Sequence, residues 1–313
     1  MWFAQAAARG ASLARAGLGC LPLSGGYGPV DFRMGVRLVH CALDAGVGLL
    51  DLADFTREHH GERLLGAALH RRRDRAMVSG HVGWDPCAAE PAALVRDVHR
   101  LLRRTGLGYL DVCFLHPDQG SIPLEDRFAA LAPLVESGVV LRLGLYEPSV
   151  PQLHRAHVVH PVAALAVEYS LAQRRAELEL LPAARAIGAL VAACCPLACG
   201  FLAGRLPWND RLGLVEQRRC APGPGAVRPA DLRERLRCLE QIAAEVDLST
   251  GRLALAWLLG RGPDVAVLPG STDCVHVEMN LAAAHTALRP ETVFLLDELF
   301  PACAATTDDD SAS

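Results

Sequence analysis

The chain of 313 residues contains no lysine; all 31 of its cationic side chains are arginine. Together with the Ala/Arg/Leu/Gly/Pro bias, this has the look of a high-GC bacterial genome. Long apolar runs are missing as well. No stretch reaches the roughly 20 uninterrupted apolar residues of a membrane helix, which argues against a membrane-spanning protein. The first fifteen residues are alanine-rich with Arg9 and Arg15, but their apolar run is too short and interrupted for a signal peptide. No cluster of basic residues interleaved with aromatics marks a nucleic-acid surface. The net charge is only −4, and arginines such as Arg71, Arg72 and Arg73 read as solvated helix faces. Spaced cysteine pairs of metal-ligand type are absent too. The 11 cysteines fall as Cys194, Cys195 and Cys199 and as singletons, and read as reduced thiols of a cytoplasmic protein. A small-molecule substrate or ligand is the partner class left; the oligomeric state stays open.

A chain that is 51% hydrophobic can bury a substantial core. Short runs rich in Val, Leu and Ala alternate with amphipathic stretches, the pattern of a parallel sheet wrapped by helices. Strands are expected at Gly17–Leu21, Gly48–Asp51, Ala76–Ser79, Leu110–Leu115, Leu141–Leu145, Ala163–Glu168, Ala189–Ala193 and Val265–Leu268. Helices are expected near Phe32–Ala45, Gly61–Arg72, Pro91–Arg104, Leu124–Glu136, Val150–His157, Ala176–Ala186, Asp231–Val246 and Gly251–Leu259. Eight strands each followed by helix give an α/β fold, a single-domain (β/α)8 TIM barrel spanning 1–303. A long loop near 205–230, from Trp208 to Pro229, is expected to cover the pocket. The tail 304–313, ending in three aspartates and Ser311-Ala312-Ser313, is expected to be disordered.

Such a barrel carries its chemistry at the C-terminal ends of its strands. Asp51, His81, His116, Tyr146 and Cys194 all fall at or just past expected ends, which points to one shared pocket. Histidine at a strand end is placed for proton transfer near neutral pH. Asp51, His81 and His116 also have the composition of a two-histidine, one-carboxylate metal site, but ligand type without geometry does not make one, and no metal is assigned.

From about Leu18 to Leu299 the chain resembles the aldo-keto reductases. The resemblance rests on Gly17-Leu18-Gly19-Cys20, Ser24 to Pro29, Asp51-Leu52-Ala53-Asp54, Leu115-His116, Glu168-Tyr169-Ser170-Leu171, Pro196-Leu197, Gly200-Phe201-Leu202, and Leu268-Pro269-Gly270 with Glu278 and Asn280. It implies an oxidoreductase in which a tyrosine donates a proton to a carbonyl, a lysine tunes it, an aspartate holds the lysine and a histidine orients the substrate. Asp51 and His116 match the aspartate and histidine. The tyrosine position reads Thr56, and the lysine position reads His81.

The resemblance also implies NADP(H), with altered contacts. The positions that hold and stack the nicotinamide read Tyr146, Glu147, Ala166 and Cys194, and Tyr146 adds bulk there. At the adenine end, the basic residues that grip the 2′-phosphate become Thr272 and His276, with Asp273 adding an anion. Gly270, Asn280 and Arg205 are the remaining candidate phosphate contacts. The expectation is weak or absent NADP(H) binding in a barrel that has lost ordinary hydride transfer. It is then either repurposed for dehydration, isomerisation or cyclisation of a small carbonyl or hydroxylated substrate, as in bacterial specialised metabolism, or a silent binding subunit. The alternative is an atypical NAD(P)H-dependent reductase with His81 or Tyr27 as acid.

Overall fold

The computed structural model describes residues 15–25, 28–56, 58–85, 90–117, 122–204 and 229–302. Tyr27, Arg205, the 205–228 part of the expected loop and the tail 304–313 lie outside the described residues.

Eight parallel strands pair in chain order: β1 (Leu18–Gly19), β2 (Leu49–Leu52), β3 (Met77–Val82), β4 (Val112–Leu115), β5 (Leu143–Tyr146), β6 (Val162–Glu168), β7 (Leu190–Cys194) and β8 (Val265–Val267). Parallel bridges Ala16–Val267 and Gly19–Gly270 bring the last strand back to the first. Around this barrel run α1 (Phe32–Asp44), α2 (His60–Leu69), α3 (Pro91–Thr105), α4 (Leu124–Ala129), α5 (Ala132–Glu136), α6 (Val150–Val159), α7 (Leu180–Ala186), α8 (Pro229–Glu245), α9 (Thr250–Leu259), α10 (Cys274–Ala282) and α11 (Pro290–Leu299). The alternation of strand and helix is the expected (β/α)8 architecture.

Three local differences from the sequence reading have physical causes. β3 continues past Ser79 to Val82. Its polar residues read as a strand end, but inside the barrel they have hydrogen-bond partners, so the strand can go on. The single helix expected over Leu124–Glu136 is two, α4 and α5, and Pro133 stands in the first turn of the second. Proline has no N–H for a continuing helix and is tolerated only at a start. Two closing helices, α10 and α11, were not anticipated; α10 opens on Asp273, whose side chain accepts from the Val275 N–H.

Strand residues alternate between two environments. Leu50, Leu52, Val78, Cys113, Leu115, Leu143, Leu145, Leu165, Val167, Val191 and Val267 join the continuous apolar layer beneath the helices. The other parity fills the barrel. Leu49, Met77, Ala192, Ala266 and Leu268 form one inner cluster, and Val112, Phe114, Ala164 and Ala166 a second. Large residues on β2–β4 meet alanines on β6–β8, which is how a narrow barrel reaches close packing. Gly144 belongs to this fit, since a Cβ there would lie 2.6 Å from the Phe114 ring. Asp51, Ser79, His81, Tyr146, Glu168 and Cys194 share this inward parity, one or two steps further along the same strands.

Candidate active site

The C-terminal mouth of the barrel gathers the polar residues of the inner parity. Asp51 is the third residue of β2, and its register partner on β3 is Ser79. The Ser79 hydroxyl donates to Asp51 Oδ1 at 2.5 Å, and His81 Nε2 lies 3.0 Å from the same oxygen. His81 Nδ1 is in turn 3.2 Å from His116 Nε2. All four residues are buried. Buried polar groups are costly unless they are hydrogen-bonded, and here each one is.

The chain of contacts constrains where the protons sit. An ionised carboxylate only accepts, so His81 must carry its proton on Nε2 to bond Asp51. In a neutral His81 the other nitrogen, Nδ1, is then an acceptor, and the bonding proton between the two rings belongs to His116 Nε2. If the pair gains one proton, His81 can donate at both ends. The arrangement is thus a linear path, Asp51 to His81 to His116, along which a proton can shift by one hydrogen bond. It does not converge on a point: both His81 nitrogens are used. Among the described residues no three His, Cys, Asp or Glu side chains are grouped to hold a metal ion.

Aromatic rings surround the pair. Tyr146 stacks on His116, with ring centroids 4.2 Å apart and planes 16° apart. Phe55 meets His81, His116 and Trp84 edge-on at 5.7, 5.6 and 5.6 Å. Phe114 lies 5.2 Å from His81 on the side of the inner core. Phe55, Trp84 and Tyr146 are half-buried, so these rings cover the pair while remaining partly open to solvent. Sequence reading missed Phe55, Trp84 and Ser79. The register of Ser79 opposite Asp51 is the signal that would have found the last.

Thr56 does not stand in for a phenolic acid in this geometry. Its hydroxyl donates to Asp54 Oδ1 at 2.6 Å and its backbone N–H to the same oxygen at 3.0 Å. The other Asp54 oxygen accepts from the Glu62 N–H in the first turn of α2. Thr56 is therefore occupied in shaping the loop after β2.

The sector after β5 to β8 is chemically different. Tyr146 ends β5 and pairs in register with Ala166. Glu147 follows with φ 47°, a left-handed conformation, and its carboxylate accepts from the Glu168 N–H. Burial and then the neighbouring Glu147 push the Glu168 carboxyl up to about 7. Burial also raises Glu147. Cys194 ends β7 opposite Glu168, and burial, followed by the charge of Asp51, pushes its thiol well above the usual range. A thiol so raised stays protonated and is a poor nucleophile. Cys199, read from the sequence as a reduced thiol, is disulfide-bonded, a pairing that no spacing in the sequence announces. Cys20, Cys41, Cys113, Cys194, Cys195, Cys238 and Cys274 form no disulfide.

Of the expected phosphate contacts, Gly270 bridges to Gly19 at the seam of the barrel. Ser271 is buried and bonds the backbone of Asp273 in both directions. His276 and Asn280 lie on α10, one and two turns beyond the Asp273 cap. The structure thus divides the candidate residues between an inner group, Asp51, His81, His116, Tyr146 and Cys194, and an outer arc of Glu147, Gly270, His276 and Asn280.

Comparison with known proteins agrees with this architecture along nearly the whole chain. The model of the aldo/keto reductase family matches residues 15–300. A probable aldo-keto reductase 1 from Glycine max is 28% identical over 307 residues, covering 94% of this chain and 87% of the relative. An aldo-keto reductase from Klebsiella pneumoniae, solved in complex with NADPH, superposes with a TM-score of 0.74 at 28% identity, covering 92% of this chain and 91% of the other. The glycerol dehydrogenase from Gluconobacter oxydans has the same fold, with a TM-score of 0.79 at 24% identity over 94% of both chains. With a match of this extent, carried on a barrel that sets Asp51 and His116 at its mouth, the chain belongs to the aldo/keto reductase family.

Proposed function

We propose that this family member carries out proton-transfer chemistry without a nicotinamide hydride, acting on a small carbonyl or hydroxylated substrate. The observation that carries the reading is the buried Asp51–His81–His116 chain, in which an imidazole replaces the ammonium group expected between aspartate and histidine. Asp51, held by Ser79, fixes the ring and tautomer of His81. His81 and His116 then exchange a proton across one hydrogen bond. As a base, the pair takes a proton from the carbon beside a carbonyl. As the conjugate acid it returns that proton, either to a departing hydroxyl, releasing water, or to a neighbouring carbon, completing an isomerisation. Positioned acid–base groups contribute about 10²–10⁴ in rate.

The residues opposite do not fit a nicotinamide held in the family's manner. A carboxamide needs hydrogen-bond partners and its ring a stacking face. Tyr146, Ala166 and Cys194 offer a bulky ring already stacked on His116, a methyl group and a protonated thiol. At the adenine end Asp273 caps α10 and brings an anion to the turn where a 2′-phosphate grip is expected. An ion pair with phosphate is a charge-assisted contact that neither Thr272 nor Asp273 supplies.

A second reading is favoured by the relatives, because the Klebsiella pneumoniae reductases were solved with NADPH and NADP. In it the protein is a working NAD(P)H-dependent reductase with His81 as the acid. The two readings separate in one experiment. Small hydroxy and keto compounds are incubated with the protein in deuterated water and followed by proton NMR, without cofactor and then with NADPH. Solvent deuterium entering carbon beside a carbonyl without cofactor, lost in the His81→Ala/His116→Ala double variant, supports acid–base chemistry. Carbonyl reduction that consumes NADPH, with no cofactor-free exchange, supports the reductase.

A further inference from the structure

The barrel buries one arginine completely. Arg127, on α4, is 0% exposed. Its Nη1 donates to the Pro117 carbonyl at 2.8 Å, and its Nη2 to the His116 carbonyl at 3.0 Å and the Gly83 carbonyl at 3.4 Å. A buried guanidinium needs partners for its donors, and these carbonyls supply part of them.

These carbonyls lie where the β3–β4 ladder stops. Its last backbone bond runs from the His116 N–H to the Val82 carbonyl at 3.1 Å. One residue further, the two chains part, and the guanidinium takes over by bonding the next carbonyl on β3's side and the next two on β4's. These are the two segments that carry His81 and His116. Gly83 is shaped to this arrangement. It has φ +72°, and a Cβ on it would lie 2.6 Å from Arg127 Nη2, so the backbone there admits the guanidinium only without a side chain. A planar fork of five donors can span several carbonyls at once, whereas an ammonium group is a single point.

We infer that Arg127 is a positioning residue for the histidine pair, a clamp on the two strand ends that sets the His81–His116 hydrogen bond. It touches no substrate and acts through the backbone. The inference deepens the acid–base reading, but its test reads the geometry of the pair and needs no turnover.

Arg127→Lys and Arg127→Met variants are compared with the wild type by circular dichroism and by nitrogen-15 and proton NMR of the two imidazoles, assigned with His81→Gln and His116→Gln. In the wild type the inter-ring proton is expected to be shifted downfield and protected from exchange. In both variants the barrel spectrum is retained and exchange of that proton accelerates at least about tenfold. If substrate turnover has been found, Arg127→Lys lowers kcat by up to about a hundredfold with KM little changed. Gly83→Ala, which keeps the cation but crowds it, gives the same spectral change and covers the case in which neither arginine variant folds. Folded variants with wild-type imidazole signals would overturn the inference. NADPH turnover by the wild type would defeat the acid–base reading and leave the clamp standing.

Discussion

On the β2–β4 side of the barrel mouth, Ser79, His81 and His116 are tied to Asp51 in one hydrogen-bonded chain, with an arginine fork fastening the strand ends behind it. On the β5–β7 side the inward residues are Tyr146, Ala166, Glu168 and Cys194, and burial pushes the Glu168 carboxyl and the Cys194 thiol toward their neutral forms. A barrel can change one sector while holding the other because each inward residue is delivered by its own strand.

The contrast can be broken most forcefully in the first sector. His81→Ala and His116→Ala should each lower kcat on a responsive substrate by about 10²–10⁴, or about 3–5 kcal/mol of transition-state stabilisation. Steady-state rates with matched circular dichroism spectra check this. Loss below tenfold would mean the pair is inherited packing. One layer deeper, Gly144→Ala sets a methyl group against Phe114 and should cost about 1–3 kcal/mol in urea unfolding. An unchanged midpoint would show that the alanines opposite leave slack.

The second sector can be sharpened by restoring what it lacks. Tyr146→Ser with Ala166→Gln supplies polar contacts for a carboxamide and should bring NADPH binding into the range that calorimetry detects. No gain would place the barrier at the adenine end, with Asp273. The smallest expected effect is at Glu168. Its carboxyl is raised from an ordinary 4.5 to about 7, so its neutral form is favoured in the folded state. That contribution to stability is complete below about pH 4.5 and is lost as pH rises through 7. Glu168→Gln should therefore match the wild-type melting temperature near pH 4.5 and exceed it at pH 8. Parallel curves would mean that solvent reaches the carboxyl freely.

The barrel was legible because parallel strands buried on both faces leave apolar runs, and these occur at the spacing helices require. Strand ends point one by one to Asp51, His81, His116 and Tyr146, and the fold links these candidates in a chain of contacts. Side-chain partnerships were not legible. Nothing in the order of residues tells that Thr56 is spent on Asp54, that Phe55 covers both histidines, or that an arginine in a charged stretch, Glu125-Asp126-Arg127, folds inward to three carbonyls. Those depend on distances between elements far apart in sequence, which periodicity does not encode. Glu147 and Glu168, 21 positions apart, become neighbours only because β5 and β6 are adjacent.

Whether the proposed acid–base barrel still holds a nicotinamide beside Tyr146 is tested by calorimetric titration of the intact protein with NADPH and with NADP⁺. The expected result is no measurable heat of binding up to millimolar cofactor. Saturable binding at micromolar strength or tighter would contradict it and return His81 to the role of acid in carbonyl reduction.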